Sequence, residues 1–147
     1  MRVLHFRYVV AAFVLALSAV ACTSAPTQEM SDARQAISSA RSADAATYAP
    51  RSMDSAEQLL GHAEKFLKQR QYEMARNDAL EARQAAMKAR QVAVAIADAR
   101  AAVEEAKSRG SAWSGVERLV DEAQAAGRQG DESRAWELAT EAKRRLQ

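Results

Sequence analysis

Little in this chain could hold a fold together except helix packing. It has a single cysteine, Cys22, so no disulfide can close within it. Pro26 and Pro50 are the only prolines, and the chain has five glycines, which leaves few sites for tight turns. Aromatic residues make up 5 %, so a core must be built from small side chains. Nowhere do β-branched residues alternate with polar ones over a useful length, which argues against a sheet. The longest apolar run, Tyr8 to Val20, has about 13 residues against the ~20 that a spanning helix needs. Neither charge dominates. The formal net charge of +2 is matched by Arg2 and Arg7 near the N-terminus, and the rest of the chain balances. That balance does not favour a nucleic-acid partner.

Reactive groups are equally sparse. Beyond the N-terminal segment His62 is the one histidine, and Phe66 occupies the position a turn later where a second metal ligand would stand. No Gly-rich loop could cradle a phosphate. Ser38, Ser39 and Ser111 to Ser114 lack an imidazole partner other than His62. The carboxylates are spaced as solvated helix-face charges, with Glu64/Lys68 and Glu141/Arg145 each a turn apart. The reading is a non-enzyme with no catalytic residue, no metal and no cofactor.

Arg2 and Arg7 precede the apolar run, and Ala19-Val20-Ala21 presents small side chains just before Cys22. This order resembles a bacterial lipoprotein leader ending in a lipobox. The resemblance implies removal of residues 1–21 and acylation of Cys22. Ala19 stands where leucine is commonest in that motif. Thr23, rather than Asp, follows the cysteine, which resembles the class sent to the outer membrane of Gram-negative bacteria, on its periplasmic face. Residues 22–29 are small and polar and read as a tether.

From Met30 onward Ala, Arg, Glu and Gln dominate, all strong helix formers. Turn signals divide this stretch into five helices. Tyr48-Ala49-Pro50 ends the first, and Asp54-x-x-Glu57 offers a capping box to the second. Lys68 to Tyr72 makes a polar turn, Gly110 closes the third helix, Ser114-x-x-Glu117 caps the fourth, and Gly127 to Asp131 precedes the fifth. The third, about 72–109, would be roughly 57 Å long.

An internal repeat accounts for that length. Asp32-Ala33-Arg34-x-Ala36-Ile37-x-x-Ala40 returns 66 residues later as Asp98-Ala99-Arg100-x-Ala102-Val103-x-x-Ala106. Leu59-Leu60-x-x-Ala63 returns as Leu119-Val120-x-x-Ala123, and Ala75, Ala79, Glu81 and Ala82 match Ala135, Ala139, Glu141 and Ala142. Residues 30–147 thus read as an all-α, elongated antiparallel bundle of two three-helix units, about 30–90 and 92–147, sharing one long helix. Ala75, Ala79, Ala82, Ala86, Ala89, Ala93 and Ile96 advance in alternating steps of four and three, a coiled-coil seam.

The run from Asp32-Ala33-Arg34-Gln35-Ala36-Ile37 through Tyr48-Ala49-Pro50 to Tyr72-x-x-Ala75-x-x-x-Ala79-x-x-Ala82 is similar to periplasmic lipoproteins carrying the domain of unknown function numbered 4398. The resemblance spans about 30–95. It implies an envelope location and a helical fold, but no reaction.

Two features stand out as candidate contact sites. Arg76, Arg83 and Arg90 recur every seven residues beside the alanine seam, where they could meet peptidoglycan carboxylates or lipid phosphates, or else pair with a neighbouring helix. Trp113, in the turn before the fourth helix, and Trp136 both read as core plugs, and an exposed Trp113 is also a candidate partner anchor. The leading expectation is a membrane-tethered envelope scaffold that contacts an envelope protein or peptidoglycan. Two other readings are a tetratricopeptide-like adaptor for a secretion or pilus machine, suggested by Gly130-Asp131-x-x-x-Ala135-x-x-x-Ala139, and a self-assembling alanine-zipper lipoprotein.

Overall fold

A computed structural model describes residues 24–110 and 113–147, all of whose regular structure is helical. The elements are α1 (Thr27–Ser42), α2 (Ala45–Tyr48), α3 (Pro50–Lys68), α4 (Tyr72–Ser108), α5 (Ser114–Arg128) and α6 (Glu132–Arg145). The first expected helix is therefore two. Asp44 adopts a left-handed φ of 58° and ends α1, with the N–H groups of Ala43 and Asp44 donating to Ala40 and Arg41. Aspartate is one of the few side chains that tolerates this conformation.

Pro50 opens α3 rather than only breaking what precedes it. It occupies the first helical position, where its missing N–H costs nothing. Asp54 then falls inside the helix, and the expected Asp54/Glu57 capping box does not form. Ser114 likewise lies within α5, whose N-cap is Trp113 without a side-chain bond. Asp131 does cap α6, accepting from the Arg134 N–H at 3.1 Å.

At 37 residues, α4 is about 55 Å long and packs against all five other helices. Its first half runs antiparallel to α3 and beside α1, and its second half meets α5 and α6. Arg34–Glu64 and Arg41–Glu57 ion pairs mark the antiparallel register of α1 and α3. The bundle is therefore two three-helix units joined through one continuous helix. The two halves bury matching positions. Met30, Ala33, Ile37 and Ala40 of α1 are buried, as are Ile96, Ala99, Val103 and Ala106, each 66 residues on. Their connecting turns also match. Arg70 and Gly130 both have positive φ, of 60° and 80°, and Gln71 N–H donates to Phe66 O as Asp131 N–H donates to Ala126 O, both at 2.9 Å.

Each seam alanine of α4 is at most 1 % exposed. The seam is filled from within the chain, because α1, α3 and α6 lie against it, so it offers no open face for a zipper between chains. The main core cluster runs from Ile37 and Met53 through Ile96 to Val120 and Leu138, and so contains side chains of both units. A second cluster, with Met30, Ala33, Ala63, Ala79 and Ala82, fills the first unit near its N-terminal end.

Close backbone contact joins the units. A Cβ on Gly127 would stand 2.5 Å from the Tyr48 carbonyl oxygen, so α5 meets α2 where only glycine fits. Beside it the Arg128 guanidinium lies 6.0 Å from the Tyr48 ring centroid.

Candidate functional site

Arg76, Arg83 and Arg90 occupy one column of α4 but meet different surroundings. Arg76 is fastened. Its Nε donates to Glu29 Oε1 at 2.8 Å, its Nη1 to Glu73 Oε1 at 3.3 Å, and its Nη2 to the Ser24 carbonyl at 3.2 Å. The Glu29 carboxyl is held below the ordinary carboxylate range by a backbone hydrogen bond and by the Arg76 guanidinium. Arg76 therefore ties α1 and the segment before it to α4.

Arg83 and Arg90 are exposed, with no ion pair within 4.0 Å among the described residues. The repeat relates Arg83 and Asp32 to Lys143 and Asp98, which bond at 2.8 Å. Asp32 instead accepts from Gln28 Nε2 at 2.7 Å. Arg90 borders a shallow groove on the outer side of α4, with Met87, Gln91, Val94 and Asp98. The concave arginine-lined groove that an adaptor of the tetratricopeptide type would offer is not formed by these side chains.

Trp113 is half-buried, and its carbonyl accepts from the N–H groups of Val116 and Glu117 at 2.9 and 3.0 Å. Lys107 Nζ sits 4.7 Å from its ring centroid while donating to Glu117 at 2.7 Å and Glu104 at 3.0 Å. These carboxylates, Glu117 first, raise the Lys107 pKa. Trp113 thus stacks within a clasp joining the end of α4 to the start of α5. Trp136 is not a core plug. Ala135 takes the seam position, and Trp136, one residue on, is 40 % exposed at the edge of a groove with Lys88, Gln91, Val92 and Glu137.

The residues that sequence reasoning missed are Ser52, Lys88 and Glu132. Glu132 is 5 % exposed; its carboxylate accepts the Ser52 N–H at 2.7 Å and the Ser52 hydroxyl, and lies 3.6 Å from Lys88 Nζ. An open cleft of about 710 Å³ lies above them, walled by Arg51, Ser55, Gly130 and Asp131. The two acidic groups there sit at the start of α6, and Glu132 is already engaged by the first turn of α3. No motif spacing announces a contact across 80 residues, although an Asp-Glu pair opening a helix is a recognisable signal.

His62 is exposed, and Glu64 pairs across to Arg34 rather than with Lys68, whereas the Glu141–Arg145 pair forms at 2.7 Å. Among the described residues no group of three or more His, Cys, Asp or Glu is placed to hold a metal ion. None of their helices is long and apolar enough to cross a membrane. Cys22 and the leader lie outside the described residues. The segment assigned to a tether is shorter than expected. Pro26 is fully buried, α1 opens at Thr27, and Glu29 bonds to Arg76, so residues from Ser24 on are part of the bundle.

Alanine-seamed helices in two linked three-helix units define an all-α bundle protein. The chain belongs to the family described as Domain of unknown function (DUF4398), which it matches over residues 28–110. That match spans α1 to the end of α4. No curated protein and no solved structure matches the chain.

Proposed function

We propose that this protein is a lipid-anchored, non-enzymatic scaffold of the Gram-negative envelope, held at the periplasmic face of the outer membrane through Cys22. The observation that carries the reading is the order of the N-terminal residues. Two arginines, an apolar run too short to serve as a comfortable span, and Ala19-Val20-Ala21 lead directly to the chain's one cysteine. Three acyl chains on that residue would hold it far more firmly than the marginal binding of a single chain. The scaffold role is supported by the build of the bundle. Its core is small alanines in register, ion pairs such as Arg34–Glu64, Arg76–Glu29 and Lys143–Asp98 hold its helices to one another, and the exposed Arg83 and Arg90 are available to an anionic envelope component such as peptidoglycan.

Density-gradient fractionation of the envelope tests this. The wild-type protein is expected to travel with the outer membrane, and the Cys22→Ser variant to leave that fraction. An unchanged distribution of the variant would count against the anchor. A second test addresses the arginines: Arg83→Glu with Arg90→Glu is expected to abolish co-sedimentation with purified peptidoglycan while leaving membrane fractionation intact.

A further inference from the structure

Three cations follow one another where α3 gives way to α4, Lys65 and Lys68 in the last turn of α3 and Arg70 in the connection. Lys65, Lys68 and Arg70 are all exposed, and none has an ion pair within 4.0 Å among the described residues. Of the acidic side chains at the same end of the bundle, Glu29 and Glu73 are engaged by Arg76 and Glu64 by Arg34, while Asp32 accepts from Gln28. The turn is also amphipathic. Phe66 and Tyr72 are half-buried within it, and Met74, in the first turn of α4, is 51 % exposed.

The course of the chain puts this turn beside the N-terminal segment. Arg76, one turn into α4, holds the Ser24 carbonyl at 3.2 Å, and buried Pro26 fixes the entry into α1. Cys22 is two residues before Ser24, so the two Cα atoms are at most about 7 Å apart. With Cys22 acylated, this end of the bundle cannot be far from the headgroups, because no slack remains to lift it.

We propose that the Lys65–Tyr72 turn is a membrane-facing base that docks on anionic phospholipid headgroups. The inference rests on the acylation of Cys22 proposed above. Lys65, Lys68 and Arg70 meet the phosphates, while Tyr72, Phe66 and Met74 supply the aromatic and apolar side chains that suit the headgroup boundary. Three cations near an anionic surface, each worth roughly fivefold, favour it over a neutral one by about a hundredfold. The opposite end of α4 then stands away from the surface by up to about 55 Å, the length of the helix.

The test uses the acylated protein, extracted from membranes and reconstituted in phosphatidylglycerol-rich vesicles. Acylation blocks the native thiol, so a nitroxide can be placed at Gln69→Cys in the turn or at Arg109→Cys at the far end. The Gln69 probe is expected to be several-fold less accessible to an aqueous nickel chelate than the Arg109 probe. The combined Lys65→Glu, Lys68→Glu and Arg70→Glu variant, with helicity unchanged by circular dichroism, is expected to narrow that difference, and an unchanged difference would overturn the role of the cations. Equal accessibility in the unmodified turn of an acylated protein would overturn the docking surface alone. A sample whose intact mass lacks acyl chains would overturn the anchor on which it depends.

Discussion

Glu132 accepts hydrogen bonds from both the backbone N–H and the hydroxyl of Ser52, 80 residues earlier in the chain. Ser52 is the third residue of α3, and its N–H is one of the donors that the helix itself leaves without a partner. A carboxylate at that position satisfies the donor and opposes the positive end of the helix dipole. Since α3 belongs to the first unit and α6 to the second, one side chain both caps a helix and fixes how the units sit.

Removing that carboxylate strands two buried donors. Glu132→Ala is expected to lower stability by about 1–3 kcal/mol. Glu132→Gln keeps an acceptor for Ser52 and should cost less. Urea unfolding followed by circular dichroism compares them, and equal stability of Glu132→Ala with wild type would show that the capping bond is unimportant.

Glycine substitutions separate close approach from helix propensity. Gly61 and Gly127 both lie inside helices, and alanine in a helix is ordinarily the better residue by roughly 0.5–1 kcal/mol. A Cβ on Gly61 meets nothing within 4 Å, so Gly61→Ala should be stabilising. At Gly127 it meets the Tyr48 backbone, which cannot swing aside as a side chain would, so Gly127→Ala should be destabilising. Thermal midpoints of the two variants should move in opposite directions.

Ile96 is fully buried at the middle of α4, within the cluster that spans both units. Ile96→Ala is expected to cost about 2–5 kcal/mol. Because the cluster is shared, unfolding should remain one transition rather than split into two. Coincidence of Trp113/Trp136 fluorescence with far-ultraviolet circular dichroism checks this, the tryptophans reporting the second unit and helicity the whole.

Two ion pairs give opposite pH signatures. The Glu29 carboxyl is depressed by a backbone hydrogen bond and Arg76, so its stabilisation is present above the ordinary carboxylate pKa and is lost as the pH falls through the folded value. Arg76→Gln should bring the Glu29 titration, followed by carbon-13 NMR, up toward that of a free side chain. The Lys107 pKa is raised by Glu117 and Glu104, so its contribution is complete below the ordinary lysine pKa and fades as the pH rises through the folded value. Glu117→Gln should lower the Lys107 titration.

How far the sequence reveals this fold depends on the range of each interaction. The seam of Ala75 to Ile96 and the length of α4 follow from periodicity, because a helix repeats its environment every three or four residues. Gly110 signals its own turn, whereas Asp44, the residue 66 positions earlier with a similar φ, does not look like a stop. Pro50 is legible as a break, and its place as the first residue of α3 is also a local signal, whereas the capping of Ser52 by Glu132, 80 residues away, is one that local spacing cannot reveal. The arginine column of Arg76, Arg83 and Arg90 is visible as a seven-residue period. That only Arg76 is held depends on the fold bringing Ser24 and Glu29 beside it. Trp136 misleads because a large apolar side chain next to a seam residue need not share its side of the helix.

The proposed anchor at Cys22 is the centre of the functional account, and intact mass measures it most directly. The full-length chain expressed in a Gram-negative host and extracted from membranes should yield a product beginning at Cys22 and carrying the mass of three acyl chains, absent from Cys22→Ser. A product that retains residues 1–21, or one that begins at Cys22 without added acyl mass, would contradict the account.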